Sequence, residues 1–157
     1  MTPAIRSLKT QNIPFKVHQY HHDTNAKSYG GEAAEKLDIN AAQVFKTLVV
    51  SCSDNENSLA VAIIPVSHQL NLKMLAKALK VKKVKMAEAK RVETTTGYVL
   101  GGVSPLGQKK ALTTIIDISA DSFATIFVSG GKRGLEIELS ASSLAKLTSA
   151  KLADIKT

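Results

Sequence analysis

Lys46 stands in the run Val44-Phe45-Lys46-Thr47-Leu48-Val49-Val50, which is otherwise almost wholly apolar. Alternation along a strand places it on one face with Val44, Leu48, Val50 and Cys52. An ammonium among such neighbours is costly unless it is paired, exposed at a strand end or put to use. Anchoring an anion would use its charge; acting as a base or nucleophile would need its pKa depressed. A structural account is also open, in which the lysine blocks association of an edge strand.

Two glycine-rich loops add to this signal. Gly101-Gly102-x-Ser104-Pro105 and Ser129-Gly130-Gly131 each follow an expected strand. Glycines let the backbone approach closely, so that N–H groups converge on an anion or oxyanion. Lys132 and Arg133 add charge beside the second loop. Neither loop has the spacing of a Walker P-loop or a dinucleotide fingerprint. Each alone is an ordinary tight turn, but together with a strand lysine they can surround one small substrate.

Other constellations are weaker. His18 and His22 are four apart, yet an expected strand and loop do not bring them to one helix face, and no Glu completes a zinc-protease motif. No G-x-S-x-G elbow supports a serine nucleophile. Cys52 reads as a small buried apolar residue rather than a nucleophile. Glu136 and Glu138 share a strand face beside a basic loop, which suits a structural charge pair. Tyr20 ends a strand and can project into a pocket.

The chain has 157 residues, 44% apolar and 22% charged, which fits one soluble domain (1–157) with a substantial core. Aromatics are 4% and Trp is absent, so no broad aromatic platform for bases is expected. One cysteine excludes an internal disulfide and a multi-thiolate zinc site, and favours a reducing, cytoplasmic setting. No signal peptide is evident at the N-terminus, and the longest apolar run, 59–66, is far too short to span a membrane. The net charge is +8, and between Lys73 and Arg91 only Glu88 is acidic. Such an excess draws polyanions, although a solvated face kept soluble by charge explains it as well.

The elements that must position these residues follow from periodicity. A short helix is expected over 3–11, a strand over 15–20, and a helix over 31–37 with Ser28 as a possible cap. The runs 44–51 and 59–66, joined by Asp54-Asn55-Glu56-Asn57, read as an antiparallel hairpin. Asn71 caps an amphipathic helix with Leu72, Leu75, Ala76 and Leu79 on one face and Lys73, Lys77 and Lys80 on the other. A basic helical stretch ends near 94–97. Strands are expected at 112–118, 125–128 and 135–139, and a final helix on Leu144, Leu147 and Leu152, capped by Ser140 or Ser142. The absence of regular βαβα alternation points to a mixed α/β, α+β-like fold. Its expected form is a curled, barrel-like mixed sheet of about six strands with helices packed outside.

The segments Val44–Val49, Gly97–Gly107 and Ser129–Leu139 together resemble the YbaK/EbsC family, and within it the free-standing Cys-tRNA(Pro) deacylases. The likeness covers essentially the whole chain, with the motifs in the family's order. It is similar, too, to the editing domain of bacterial prolyl-tRNA synthetases. The resemblance implies removal of cysteine mischarged onto tRNA(Pro), and on tRNA(Cys) as a further substrate. It implies aminoacyl-tRNA and prolyl-tRNA synthetase as partners, with no cofactor, metal, DNA or membrane. It makes Lys46 the essential residue and Gly101 its catalytic companion. Tyr20, Tyr29, Thr47, Gly102, Ser104, Ser129, Gly130 and Glu136 become substrate-binding residues. It further implies that the substrate's own thiol attacks its ester and releases a cysteine thiolactone. Two other readings remain: a tRNA- or synthetase-binding module with a relic pocket, and a lysine-dependent enzyme acting on a phosphorylated metabolite.

Overall fold

The computed structural model describes residues 1–25, 29–52 and 55–157, without the side chains of Tyr29, Asn55, Glu56 and Asn57. The expected Ser28 cap and the Asp54 turn position lie outside the described residues. The elements run α1 (Pro3–Thr10), β1 (Lys16–Gln19), α2 (Tyr29–Lys36), β2 (Phe45–Cys52), β3 (Asn55–Pro65), α3 (Leu72–Leu79), β4 (Val84–Met86) and α4 (Ala89–Thr96). They continue with β5 (Thr113–Asp117), β6 (Ile126–Ser129), β7 (Leu135–Leu139), α5 (Ala141–Thr148) and β8 (Lys151–Ala153). Short 3-10 turns precede β2, at Ala41–Gln43, and follow β5, at Ile118–Ser122.

The expected mixed class holds, but the curled, barrel-like sheet does not. The strands divide into a three-stranded sheet, β1-β7-β6, and a five-stranded one, β4-β2-β3-β5-β8. Among the described residues no barrel closes. The reason lies on the outer edge of β2. Strand β6 reaches it only at the parallel bridge between Val44 and Phe127, and β4 pairs with it only over Val50–Cys52. No described strand pairs with that edge over Lys46–Leu48.

Strand β2 is the spine of the molecule. It pairs antiparallel with β3, Lys46 opposite Ile64 and Thr47 opposite Ile63. Its two faces enter different cores: Phe45 and Val49 pack with Ile63, Ile116, Val128 and Ile137, while Val50 and Cys52 pack with Ile64, Leu75 and Ile115. Such a strand reads as a nearly continuous apolar run because both faces are largely buried, with Lys46, Thr47 and Leu48 partly exposed. Strands β5 and β8 extend the larger sheet in parallel from β3.

Helix ends follow side-chain chemistry. The Asn71 carboxamide accepts from the Met74 N–H at 3.0 Å, and the Ser140 hydroxyl from the Ser143 N–H at 3.1 Å. On α3, Leu75 and Ala76 are buried and Lys73, Lys77 and Lys80 exposed, but Leu72, in the first turn, is also exposed. The last helix is shorter than its leucine spacing suggested. Ser149 takes a left-handed conformation, φ 55°, and ends α5, so Leu152 belongs to β8. Among the described residues no helix is long and apolar enough to cross a membrane.

Two loops from distant parts of the chain are clamped together. A Cβ on Gly102 would lie 2.9 Å from Lys132 Cα, so only glycine lets these backbones meet. Neighbouring Gly101 has φ 90°, a conformation that side chains resist. Gly102→Ala should therefore push the two loops apart and destabilise the protein by about 1–3 kcal/mol, the usual cost of overpacking. Urea denaturation would show a lower midpoint with an unchanged m value.

Candidate active site

The clamped loops, the open edge of β2 and the end of β7 enclose a cavity of about 310 Å³. That is the low end of the roughly 300–1,000 Å³ typical of ligand pockets. Phe45, Lys46, Thr47 and Leu48 form one wall, Leu100, Gly101 and Val103 a second, and Ser129, Lys132, Arg133 and Glu136 a third. Tyr20, Gly30 and Val66 complete it. A second depression, about 440 Å³, is lined by Ser7, Leu106, Gln108, Thr148 and others, none of them charged. Of these two, the first combines apolar walls with ionisable groups.

Two of those groups lack partners among the described residues. Glu136 is 6% exposed on β7 and has no hydrogen-bond or ion partner among the described residues. Burial alone pushes its carboxyl up to about 8. Lys46 likewise has no described partner, and burial lowers its pKa. A buried carboxyl and a partly buried amine, both without a described partner, line one cavity; burial disfavours the charged form of each, a cost that a ligand of complementary charge would relieve. The Thr47 hydroxyl is buried without a partner among the described residues as well.

Tyr20 links these groups to the cavity edge. Burial raises its pKa, and the charges of Glu136 and Glu32 act in the same sense, against a hydrogen bond with the Gly134 backbone. The segment after Tyr20 is tied to α2. Glu32 accepts from the Asp23 N–H at 2.8 Å and lies 2.7 Å from His22 Nδ1. Burial works against its ionisation, but His22, the Asp23 amide and Lys36 hold its pKa below the ordinary value. The same tie carries Gly30, in the first turn of α2, to the cavity.

Glu138, two residues from Glu136, is different. Its carboxylate accepts from the Thr125 hydroxyl at 2.5 Å and meets His18 Nε2 at 2.9 Å. A structural charge pair thus accounts for Glu138 but not for Glu136. His18 and His22 are engaged separately, by Glu138 and Glu32. Cys52 is buried in the second core, outside the cavity lining.

The structure brings Tyr20, Lys46, Thr47, Gly101, Ser129 and Glu136 around one space. The Ser129 hydroxyl there accepts from the Gly131 N–H at 3.1 Å. Three other candidates stand behind the lining. Gly102 faces Lys132, Gly130 accepts from the Thr2 hydroxyl and pairs with Leu135, and the fully buried Ser104 hydroxyl accepts from the Leu106 N–H. The Tyr29 side chain lies outside the described residues. Sequence reasoning passed over Phe45, Val66, Val103 and Leu100 as cavity residues. For Leu100 the signal was an apolar residue immediately before a Gly-Gly turn.

The sequence and the fold have counterparts. The aminoacyl-tRNA editing domain family matches residues 23–147. An Enterococcus faecalis protein named as a candidate Cys-tRNA(Pro)/Cys-tRNA(Cys) deacylase, EbsC, is 39% identical over 156 residues, covering 99% of this chain and 93% of that protein. In fold, the chain is similar to a candidate trans-editing enzyme for prolyl-tRNA synthetase, with a TM-score of 0.85 and 22% identity, covering 100% of this chain and 99% of that one. It is similar, too, to the hypothetical protein APE2540, with a TM-score of 0.87 and 24% identity over 99% of this chain and 100% of that one. The chain belongs to the aminoacyl-tRNA editing domain family.

Proposed function

We propose that the protein is a trans-editing deacylase that removes cysteine wrongly esterified to tRNA(Pro), and that the cavity beside Lys46 is its active site. The observation that carries this reading is a pair of ionisable groups, Lys46 and Glu136, that line one small cavity and have no partner among the described residues. An aminoacyl ester bears an ammonium at one end and a phosphate-linked ribose at the other. Glu136 suits the ammonium, and Lys46 suits the sugar–phosphate end.

On this reading the chemistry belongs to the substrate. Its thiol sulfur bonds to its own ester carbonyl carbon, the bond from that carbon to the ribose oxygen breaks, and the thiol proton ends on the ribose hydroxyl. The products are tRNA and a cysteine thiolactone. Gly101, with its φ of 90°, turns its backbone beside the cavity, where an N–H can meet the developing oxyanion. Lys46 holds the ester in register, which needs its charge; a bound phosphate restores the charge that burial disfavours. Acyl-tRNA and the synthetase are the expected partners, and the exposed lysines on α3 offer a phosphate-binding face.

Lys46→Ala should lower deacylation of Cys-tRNA(Pro) by about 100-fold, the scale of a misplaced reactant. Lys46→Arg should retain far more activity, because an anchor needs charge and a base needs a removable proton. Cys52→Ala should leave the rate nearly unchanged. A single-turnover assay with labelled cysteine, run with and without prolyl-tRNA synthetase, measures all three. A wild-type protein that binds and releases the ester intact would be a binding module instead. Ser-tRNA(Pro), lacking the thiol, should survive; its rapid hydrolysis would replace the thiol mechanism with an activated water.

Glu136 supplies a pH-dependent test. Its folded pKa, about 8, lies above the unfolded carboxylate value, so folding takes up a proton between them. Its contribution is therefore most favourable below about pH 4.5 and is progressively lost as pH rises through about 8. Glu136→Gln should leave stability unchanged near pH 4 and raise it by pH 8, as read by denaturation midpoints. The same variant should raise KM for Cys-tRNA(Pro), because the amide cannot neutralise an ammonium.

A further inference from the structure

Sorting the cavity lining by exposure separates its floor from its mouth. Phe45, Val103 and Glu136 are buried; Leu100, Lys132 and Arg133 are the exposed members. The mouth thus combines two cations with a leucine that is 41% exposed, and the adjacent Val99 is 70% exposed. Single exposed apolar residues are ordinary, but a leucine held beside two cations at a cavity mouth asks for an occupant.

Val99 and Leu100 are fixed by hydrogen bonds rather than by packing. The Leu100 N–H donates to the Glu93 carboxylate at 3.0 Å, and the Gly102 N–H to the Val99 carbonyl at 2.9 Å. Just before them, buried Tyr98 donates its hydroxyl to the Leu106 carbonyl at 2.6 Å. The Arg133 guanidinium donates to the Leu100 carbonyl at 3.4 Å, which joins cation and apolar tip into one unit. The tip is held out in water, with Leu100 at the mouth.

We infer that Leu100, Lys132 and Arg133 seat the terminal nucleotide of the RNA that carries the ester, its base on the leucine side chain and its phosphate against the two cations. The inference rests on the deacylase reading. In an aminoacyl ester the alcohol is the ribose of the last nucleotide, so a base and a phosphate must lie just outside the pocket that holds the amino acid. A base presents an apolar face, and contact with it tolerates any base identity. A phosphate oxygen is met by lysine and arginine through charge-assisted hydrogen bonds. Among the described lining side chains, Tyr20 and Phe45 are less exposed than Leu100, so aliphatic contact is available at the mouth.

The test uses Leu100→Ser and Lys132→Gln in the full chain, with Cys-tRNA(Pro), cysteine ethyl ester and the unreactive trinucleotide CCA as probes. Each variant should raise KM for Cys-tRNA(Pro) about tenfold with kcat little changed, and weaken CCA binding in parallel, toward the low end of what base contacts are worth. Lys132→Gln should also reduce the salt slope of CCA binding by about 0.7, one single-strand phosphate contact. The ratio of Cys-tRNA(Pro) to ethyl-ester efficiency should fall in both, because the ethyl ester has no nucleotide. Wild-type turnover with unchanged KM and salt slope in both variants overturns the inference and leaves the deacylase reading standing. A wild-type chain that fails to deacylate yet binds CCA through Leu100 supports the nucleotide seat and sinks the deacylase reading. Variants that bind CCA normally but lose stimulation by prolyl-tRNA synthetase would make the tip a protein-docking surface and overturn the inference.

Discussion

The outer edge of β2 is the constraint on which the rest depends. A strand buried on both faces must also find partners along both edges, and β2 finds them on its outer side only at its ends. Between Val44 and Val50 the edge is closed by loops rather than by a strand. Loops can surround a space where a strand would fill it. The candidate site is therefore where sheet pairing stops, and Lys46 stands in that interval. This explains how a charged residue persists in an apolar strand: its neighbours belong to cores, while its own position borders a cavity.

The cavity walls divide the electrostatic work. The floor is apolar except for Glu136, the walls carry Lys46 and Thr47, and the mouth carries Lys132 and Arg133. The carboxyl lies deep and the cations lie outward. Burial keeps the Glu136 carboxyl protonated up to about pH 8, so a cationic group brought to the floor would favour its ionised form. On the proposed deacylase reading, this arrangement orients the ester, with the backbone at Gly101 held in place beside it.

Much of the local structure was legible because its causes are local. Asn71 and Ser140 act as caps through their own side chains, and the apolar runs either side of Asp54 form a hairpin because they are adjacent. Strands β4 and β8 were missed. Val84-Lys85-Met86 carries no periodic signal and becomes a strand only through pairing with Val50–Cys52. Leu152 continued the spacing of Leu144 and Leu147, but a left-handed serine intervened. Division into two sheets depends on which edges meet, which no single segment records. At the site, Lys46 was visible as a charge out of place. The glycine motifs located the loops but not which atoms face inward: Gly101 and Ser129 line the cavity, while Gly102, Ser104 and Gly130 hold those loops in place. Glu136 and Glu138 look alike in sequence, and only their neighbours distinguish an unpaired carboxyl from a paired one.

The contact between Gly102 and the Lys132 backbone has a consequence for how the site comes into being. Its walls derive from residues near 46, 101 and 130, so closure requires loops of about 30 to 55 residues to be ordered first, an entropic cost that local helices never face. No early folding species built from the β2–β3 hairpin alone can possess the cavity. Binding competence should therefore appear late, in the same kinetic step as docking of the two glycine loops. A ligand of the cavity would slow unfolding more than it speeds refolding.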